Sequence, residues 1–413
     1  MDRTGPADDD RTAALQNALA GFDTACEQAR AMLEATERFA TRPRYRDRAY
    51  AALMEARAWA YNFAVAPRLN IHPQVYWHTT WHANVFALGQ PLADFRYGGL
   101  FLDGSRKYVL RGRLGAARLL LMQVHTHLLG DPRSQEIGNY DFHNFELGPD
   151  GTFEVTVSAE ERSGNHIRLH RDSTTNFILI RKIMGDWNDD LGALTIDEID
   201  SPLDCSQAPH LDVDMAAAIA DGAAFMTYLI RTYVVGLHDI YSSRAGGRRN
   251  AWAEMPGQDV ATWLIGSPSV TYAPAVYEIT ADDALVIEWA PPDSAYWSVQ
   301  LGDVWSRPLD YMHHQTDINM QRASLDGDGR FRAVICLDDP GVANWLDPTS
   351  NVEGTIVVRS YRNYTPMTMP SLTKVPRKDL LSSLPADTTM VTAAQRTSAL
   401  EYRRTSTYRF FHS

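Results

Sequence analysis

The amino-acid sequence predicts a mainly β protein with flanking helices, an α+β fold of two tandem jelly-roll-like β-sandwich units. Three observations carry that expectation. Two stretches share one turn-and-strand pattern, "DGTFEVTVSAEERSGNHIRL" from Asp150 and "DGRFRAVICLDDPGVANWLD" from Asp328. Landmarks around them keep their spacing: Gln123 falls on Gln300, Phe153 on Phe331, Asn165 on Asn344 and Arg181 on Arg359, at offsets of 177 to 179 residues. Helical periodicity is confined to the two ends and the middle of the chain. A single Asp-Gly turn between alternating apolar residues is common to any antiparallel sheet, whereas a series at nearly constant offset points to an internal duplication.

Residues 9–40 place Leu15, Leu19, Phe22, Cys26 and Leu33 on one helix face. The "TRP" at 41–43 breaks that helix, because proline disfavours helical backbone in the residue before it. A second stripe of Tyr45, Ala49, Leu53, Ala56, Trp59 and Phe63 predicts the other arm of a helical hairpin over residues 1–68. From residue 69 to 205 the period changes to two, in runs such as "GTFEVTVS" and "NFILIRKI" bounded by Gly, Asp and Asn. Residues 206–267 form the predicted connector, a long helix with Met215, Ile219, Met226, Tyr233 and Leu237 on one face. Strand patterns resume over 268–373, and a helical tail is expected over 374–413, where Thr392 and Gln395 stand as a capping box.

Composition narrows the partners. A net charge of −12 without a run of five basic residues argues against nucleic acid and against an anionic membrane surface. The apolar run around "GAAFMTYLIRTYVVGLHDI" is interrupted by Arg231 and Asp239, so no membrane span is expected. The acidic N-terminus does not read as a signal peptide, and Cys26, Cys205 and Cys336 are far apart, so a cytoplasmic location is expected. The expected partners are a small-molecule ligand and a second copy of the chain in a homo-oligomer.

The segment "YWSVQLGDVWSRPLDYMHHQTDINMQRASLDGDGRFRAVICLDDPGVANWLDPTSNVEGTIVVRSYR" is similar to the bacterial domain-of-unknown-function family numbered 1214, often found with the one numbered 1254. Its D-P-G-x-x-N-W-L-D signature stands complete at Asp339, Pro340, Gly341, Asn344, Trp345, Leu346 and Asp347. The resemblance implies a jelly-roll-like β architecture and no particular reaction. Turn chemistry at Pro340-Gly341 and a core anchor at Trp345 favour a scaffold role for the signature over a catalytic one. Asn165 is then expected to make the matching turn in the first unit.

Candidate chemistry centres on histidine, since twelve of the 13 lie from residue 72 to residue 314. "NYDFHNFE" offers Tyr140, Asp141 and His143, an acid that orients a base beside a phenol. "LDYMHHQTD" groups Asp310, His313 and His314 in the second unit. Either set can instead tie down a loop. "MQVHTHLLGD" places His125 and His127 on one strand face with Asp131 beyond, a donor set for a divalent metal or a polar outer face. "WHTTWH" spaces His78 and His82 by four but lacks the Glu of a zinc helix. No cofactor motif is present and none is favoured, a divalent metal being the alternative. Trp77, Tyr97, Trp305 and Trp345 are the aromatic candidates for substrate binding. Two functions fit: a hydrolase or lyase using His/Asp acid–base chemistry on a small apolar, aromatic or sugar-like substrate, and a non-catalytic jelly-roll binder of a small molecule or carbohydrate.

Overall fold

A computed structural model describes residues 6–69, 72–77, 89–199, 213–254 and 269–412. The helices are α1 (Pro6–Glu34), α2 (Glu37–Thr41), α3 (Arg46–Ala60), α4 (Met215–Leu229), α5 (Leu237–Arg244), α6 (Leu380–Ser383) and α7 (Ala393–His412). The first unit holds β1 (Tyr76–Trp77), β2 (Phe95–Leu102), β3 (Tyr108–Arg113), β4 (Leu119–His125), β5 (Glu136–Asp141), β6 (Thr152–Ser158), β7 (His166–Arg168), β8 (Asn176–Ile183) and β9 (Ala193–Glu198). The second holds β10 (Ala251–Trp252), β11 (Val270–Glu278), β12 (Asp283–Trp289), β13 (Ser294–Gly302), β14 (Asp317–Asn319), β15 (Phe331–Ile335), β16 (Trp345–Leu346), β17 (Glu353–Asn363) and β18 (Ser371–Pro376).

The sheets repeat strand for strand. A five-stranded sheet β1-β2-β8-β4-β5 and a four-stranded sheet β7-β6-β3-β9 make the first sandwich. The second repeats that order as β10-β11-β17-β13-β14 and β16-β15-β12-β18. Register repeats as well: Gly112 faces Phe153 across β3 and β6, and the corresponding Trp289 faces Phe331 across β12 and β15. Gly151 and Gly329 both take φ +75, the left-handed conformation that an Asp-Gly turn requires. Asn165 donates to the carbonyls of Glu146 and Glu154, as Asn344 does to those of Ser324 and Arg332, so the expected matching turn is present. One cross-strand ion pair is kept with its sign reversed, Arg111 on Glu154 in the first unit and Arg332 on Glu288 in the second, each 2.8 Å.

Burial explains the strand patterns. β6 alternates, with Phe153, Val155 and Val157 inward and Thr152 and Glu154 outward, because only one of its faces is covered. In β4 every residue is buried, and in β17 only the last two are not. The five-stranded sheets are covered on both sides, by their own four-stranded partners within and by the other unit and the helices without. The same positions of each unit meet there, Phe95, Leu119 and Ile183 against Val270, Tyr296 and Tyr361. Further along the same faces the sheets are covered by helix, in a core where Phe177, Val276 and Val357 join Leu53, Met226, Tyr233 and Leu237.

The helices depart from expectation in detail. In α1, Cys26, Ala29 and Leu33 are buried, but Leu19 is 54% exposed, so the apolar stripe docks only its C-terminal half. Between α4 and α5 the helix runs through a π-helical stretch, Ile230–Gly236, that keeps Tyr233 and Val234 both buried. β10 comes from the stretch read as connector, and it pairs with β11. No described helix is long and apolar enough to cross a membrane.

Candidate functional site

The outer faces of the two five-stranded sheets meet at the Phe95–Tyr361 contact and are covered further along by the central helices, and we take the region between as the candidate cleft. Strand periodicity decides what points into it. On β2 and β8 the paired residues Tyr97 and Arg181 share the outer face. Their equivalents Tyr272 and Arg359 are paired on β11 and β17. Each unit thus delivers one phenol and one guanidinium to the same place. The arginines are 6% exposed, whereas both tyrosines are only half-buried and keep accessible surface deep in the fold.

The helical roof supplies two more phenols. Tyr233 lies near Arg181, and Tyr241 lies near Arg359. The Tyr241 hydroxyl donates to Gln90 Oε1 at 3.1 Å. Arg359 Nη2 donates to the same amide oxygen and to the Gln90 carbonyl, both at 3.3 Å, while its Nη1 has no hydrogen-bond partner. Arg181 donates to Gln123 Oε1 at 3.0 Å. Burial works to lower the pKa of Arg359, and the neighbouring Tyr272, Tyr361, Tyr97 and Tyr241 act the other way and raise it above its ordinary value, though none supplies a carboxylate. Burial in turn pushes the Tyr241 and Tyr361 hydroxyls up, so both stay neutral donors.

His125 closes the first unit's side of the cleft. It is 6% exposed, 6.4 Å from the Phe177 ring, and its Nε2 has no hydrogen-bond partner. Burial, helped by Arg181, pushes its pKa down to about 4. At neutral pH it is therefore an uncharged imidazole that offers one free nitrogen. The equivalent residue of the second unit is Gly302, where an added Cβ would lie 2.6 Å from Thr355 Oγ1.

The metal set is not assembled. β4 ends at His125, so His127 leaves the strand face and its Nδ1 meets Thr126 Oγ1 at 3.0 Å. Asp131 is engaged by Arg133 through both carboxylate oxygens. Among the described residues no three His, Cys, Asp or Glu side chains gather around a metal position. His78 and His82 lie outside the described residues.

The acid–base candidates do not converge on the cleft. Asp141 caps the turn after β5 by accepting from the His143 amide at 2.9 Å, and its second oxygen takes Arg362 of the other unit at 2.5 Å. Burial works to raise its pKa, but the two His143 hydrogen bonds and Arg362 outweigh that and lower it. Tyr140 accepts from the Arg168 amide at 2.9 Å. His143 is left at the surface, 3.2 Å from Asp141. In the second unit His313 stands 2.9 Å from Asp310 and His314 stands 2.8 Å from Asp347, both imidazoles more than 40% exposed. Asp141 and Asp310 are not equivalents, for the register places Asn319 of β14 at the position of Asp141.

Of the aromatic candidates, Tyr97 alone stands in the cleft. Trp305 donates to the Tyr45 carbonyl at 2.9 Å and packs under Arg38. Trp345 donates to the Cys336 carbonyl at 3.0 Å, in keeping with a scaffold role for the signature. Trp77 packs on Gly98, with Arg96 over its ring at 4.9 Å. Arg181, Arg359, Tyr272 and Gln90 were not singled out as site residues by the sequence reading. Their signal was a charged residue inside a run otherwise apolar, repeated at the same register in both copies.

These features meet the comparisons with known proteins. No family model matches the chain, and no curated protein matches it. Its fold is that of a solved bacterial structure. The crystal structure of an uncharacterised protein from Burkholderia cenocepacia matches 91% of this chain and 100% of its own, with 24% identity and a TM-score of 0.76. The VPA0106 protein of Vibrio parahaemolyticus matches 79% of this chain and 96% of its own, at 11% identity and a TM-score of 0.44.

Proposed function

We propose that the protein binds a small organic molecule in the cleft between its two sandwiches, under α4 and α5. The observation that carries this reading is the pairing of Tyr97 with Arg181 and of Tyr272 with Arg359 at equivalent registers of the duplicated sheets. Half-buried phenols beside buried hydrogen-bond donors are what a small-molecule site needs: apolar surface for the body of the ligand and a few fixed polar groups to orient it. Binding is favoured over His/Asp acid–base turnover because the histidine–carboxylate pairs stand apart on the surface, whereas the cleft holds an uncharged His125. The hydrolase or lyase reading belongs to those surface pairs and gains no support from their geometry.

The same reading places the chain in the domain-of-unknown-function family numbered 1214, on the strength of the signature at Asp339 to Asp347. It also takes the protein as cytoplasmic, since Cys26 and Cys336 are buried free thiols. Thermal-shift screening with phenol, hexose and aromatic-acid panels tests the binding. A stabilising compound is expected, with at least tenfold weaker binding to a Tyr97→Ala, Tyr272→Ala double variant, each lost ring contact contributing roughly 0.5–1.5 kcal/mol. If no compound shifts the melting temperature at millimolar concentration, the cleft is not a binding site.

A further inference from the structure

We propose that the ligand of this cleft is an organic acid whose carboxylate is anchored by Arg359, an inference that rests on the binding reading above. Four of the five other arginines buried among the described residues pair with a carboxylate, and the fifth, Arg181, is the equivalent of Arg359 in the first unit and donates to Gln123. Arg332 has Asp326 and Glu288, Arg396 has Asp339, Arg403 has Asp317 and Arg38 has Asp239. Arg359 departs from that rule. Among the described residues it faces only amide oxygens and phenols, and Nη1 is left without a partner. Arginine cannot shed its charge, and an uncompensated charge in the interior costs several kcal/mol. A fold that pairs four of its other interior guanidiniums with carboxylates leaves this one for an anion from outside.

The surroundings set the kind of anion. On the side of Gln90, Gln300 and Gly302 the free volume is about 10 Å³, room for a single water. That leaves for the acid the other side, where the half-buried Tyr97 and Tyr272 keep some exposed surface. Arg359 Cζ sits 5.8 Å from the Tyr272 ring centroid, so an aromatic body next to the carboxylate would meet phenol faces. The Tyr361 hydroxyl stays protonated and can donate to the same anion, while that of Tyr241 is already given to Gln90.

Benzoate and benzamide share one ring and one shape but differ in charge, so calorimetric titration of the full chain with each tests the inference. Benzoate is expected to bind roughly tenfold or more tighter, as a charge-assisted hydrogen bond implies. In Arg359→Gln that preference is expected to vanish. Equal binding of the two probes would overturn the anion site and leave the cleft as a neutral-ligand site with water on Arg359. Binding of a neutral panel compound with no benzoate binding would overturn it in the same way. If no probe or panel compound binds, both readings fall. Should Arg359→Gln not fold by circular dichroism, the wild-type comparison of the two probes decides alone. Arg359→Lys, which keeps the charge and loses the planar fork, then serves as the variant and is expected to weaken benzoate more than benzamide.

Discussion

His125 and His143 show how differently one residue type behaves at two depths. His125 is held neutral by burial, with its pKa at about 4. The sign follows: unfolding exposes an imidazole that titrates near 6.5, so the unfolded chain takes up a proton that the folded chain refuses. His125 thus contributes stability that is whole above pH 6.5 and is lost as pH falls toward 4, at about 1.4 kcal/mol per unit. A His125→Phe variant is expected to flatten the denaturation midpoint against pH across that window, and a variant that keeps the wild-type slope would assign the loss to other groups. His143 is a surface residue on a structural carboxylate. His143→Ala is expected to change unfolding free energy by no more than about 0.5 kcal/mol, while Asp141→Ala, which loses a cap and the Arg362 contact, is expected to cost about 1–2 kcal/mol. Urea denaturation of the two variants separates these values.

Among the elements, α7 is the one whose local signal was complete. Thr392 Oγ1 accepts from the Gln395 amide at 3.2 Å, and Gln395 Oε1 accepts from the Thr392 amide at 2.8 Å, the reciprocal bonds of a capping box. Thr392→Ala is expected to lower stability by about 1 kcal/mol, read as a shift in denaturant midpoint with an unchanged slope. What α7 docks on had no such signal. Arg403 reaches Asp317 Oδ1 at 2.6 Å and the Tyr311 carbonyl at 2.9 Å, partners more than 80 residues away in sequence. The central helix is similar: its apolar face is legible, but the π-helical stretch that sends Tyr233 toward Arg181 is fixed by packing. In α1, Leu19 matched the helical stripe and still faces solvent, because the helix runs past the core it docks on.

Across the whole molecule, a buried ionic network joins the two units and the tail. Asp94, ahead of β2, accepts from Tyr296 at 2.6 Å, from Asn319 at 3.0 Å and from Arg322 at 2.7 Å. Arg322 continues to Asp317, which also holds Arg403. The Trp187 ring lies under both guanidiniums, at 4.0 and 4.8 Å. Removing one member leaves the others buried and uncompensated, so Asp94→Ala is expected to cost about 3–5 kcal/mol. Limited proteolysis of that variant is expected to release fragments cut between the sandwiches. A melting temperature within a degree of wild type would mean that the units do not depend on this network.

The sequence by itself determined the repeated unit. Alternation, Asp-Gly turns and matched landmarks are local properties, and a period-two pattern fixes which face of a strand is buried wherever only one face is covered. Asn165 and Asn344 were readable as one turn for that reason. The tertiary structure decided where the two copies meet and what lies in the cleft between them. In strands buried on both faces, such as β4 and β17, the pattern no longer distinguishes inside from outside, so Arg181 and Arg359 read as markers of the repeat. Their role depends on which surface covers the outer face, and that is settled by contacts between residues nearly two hundred positions apart.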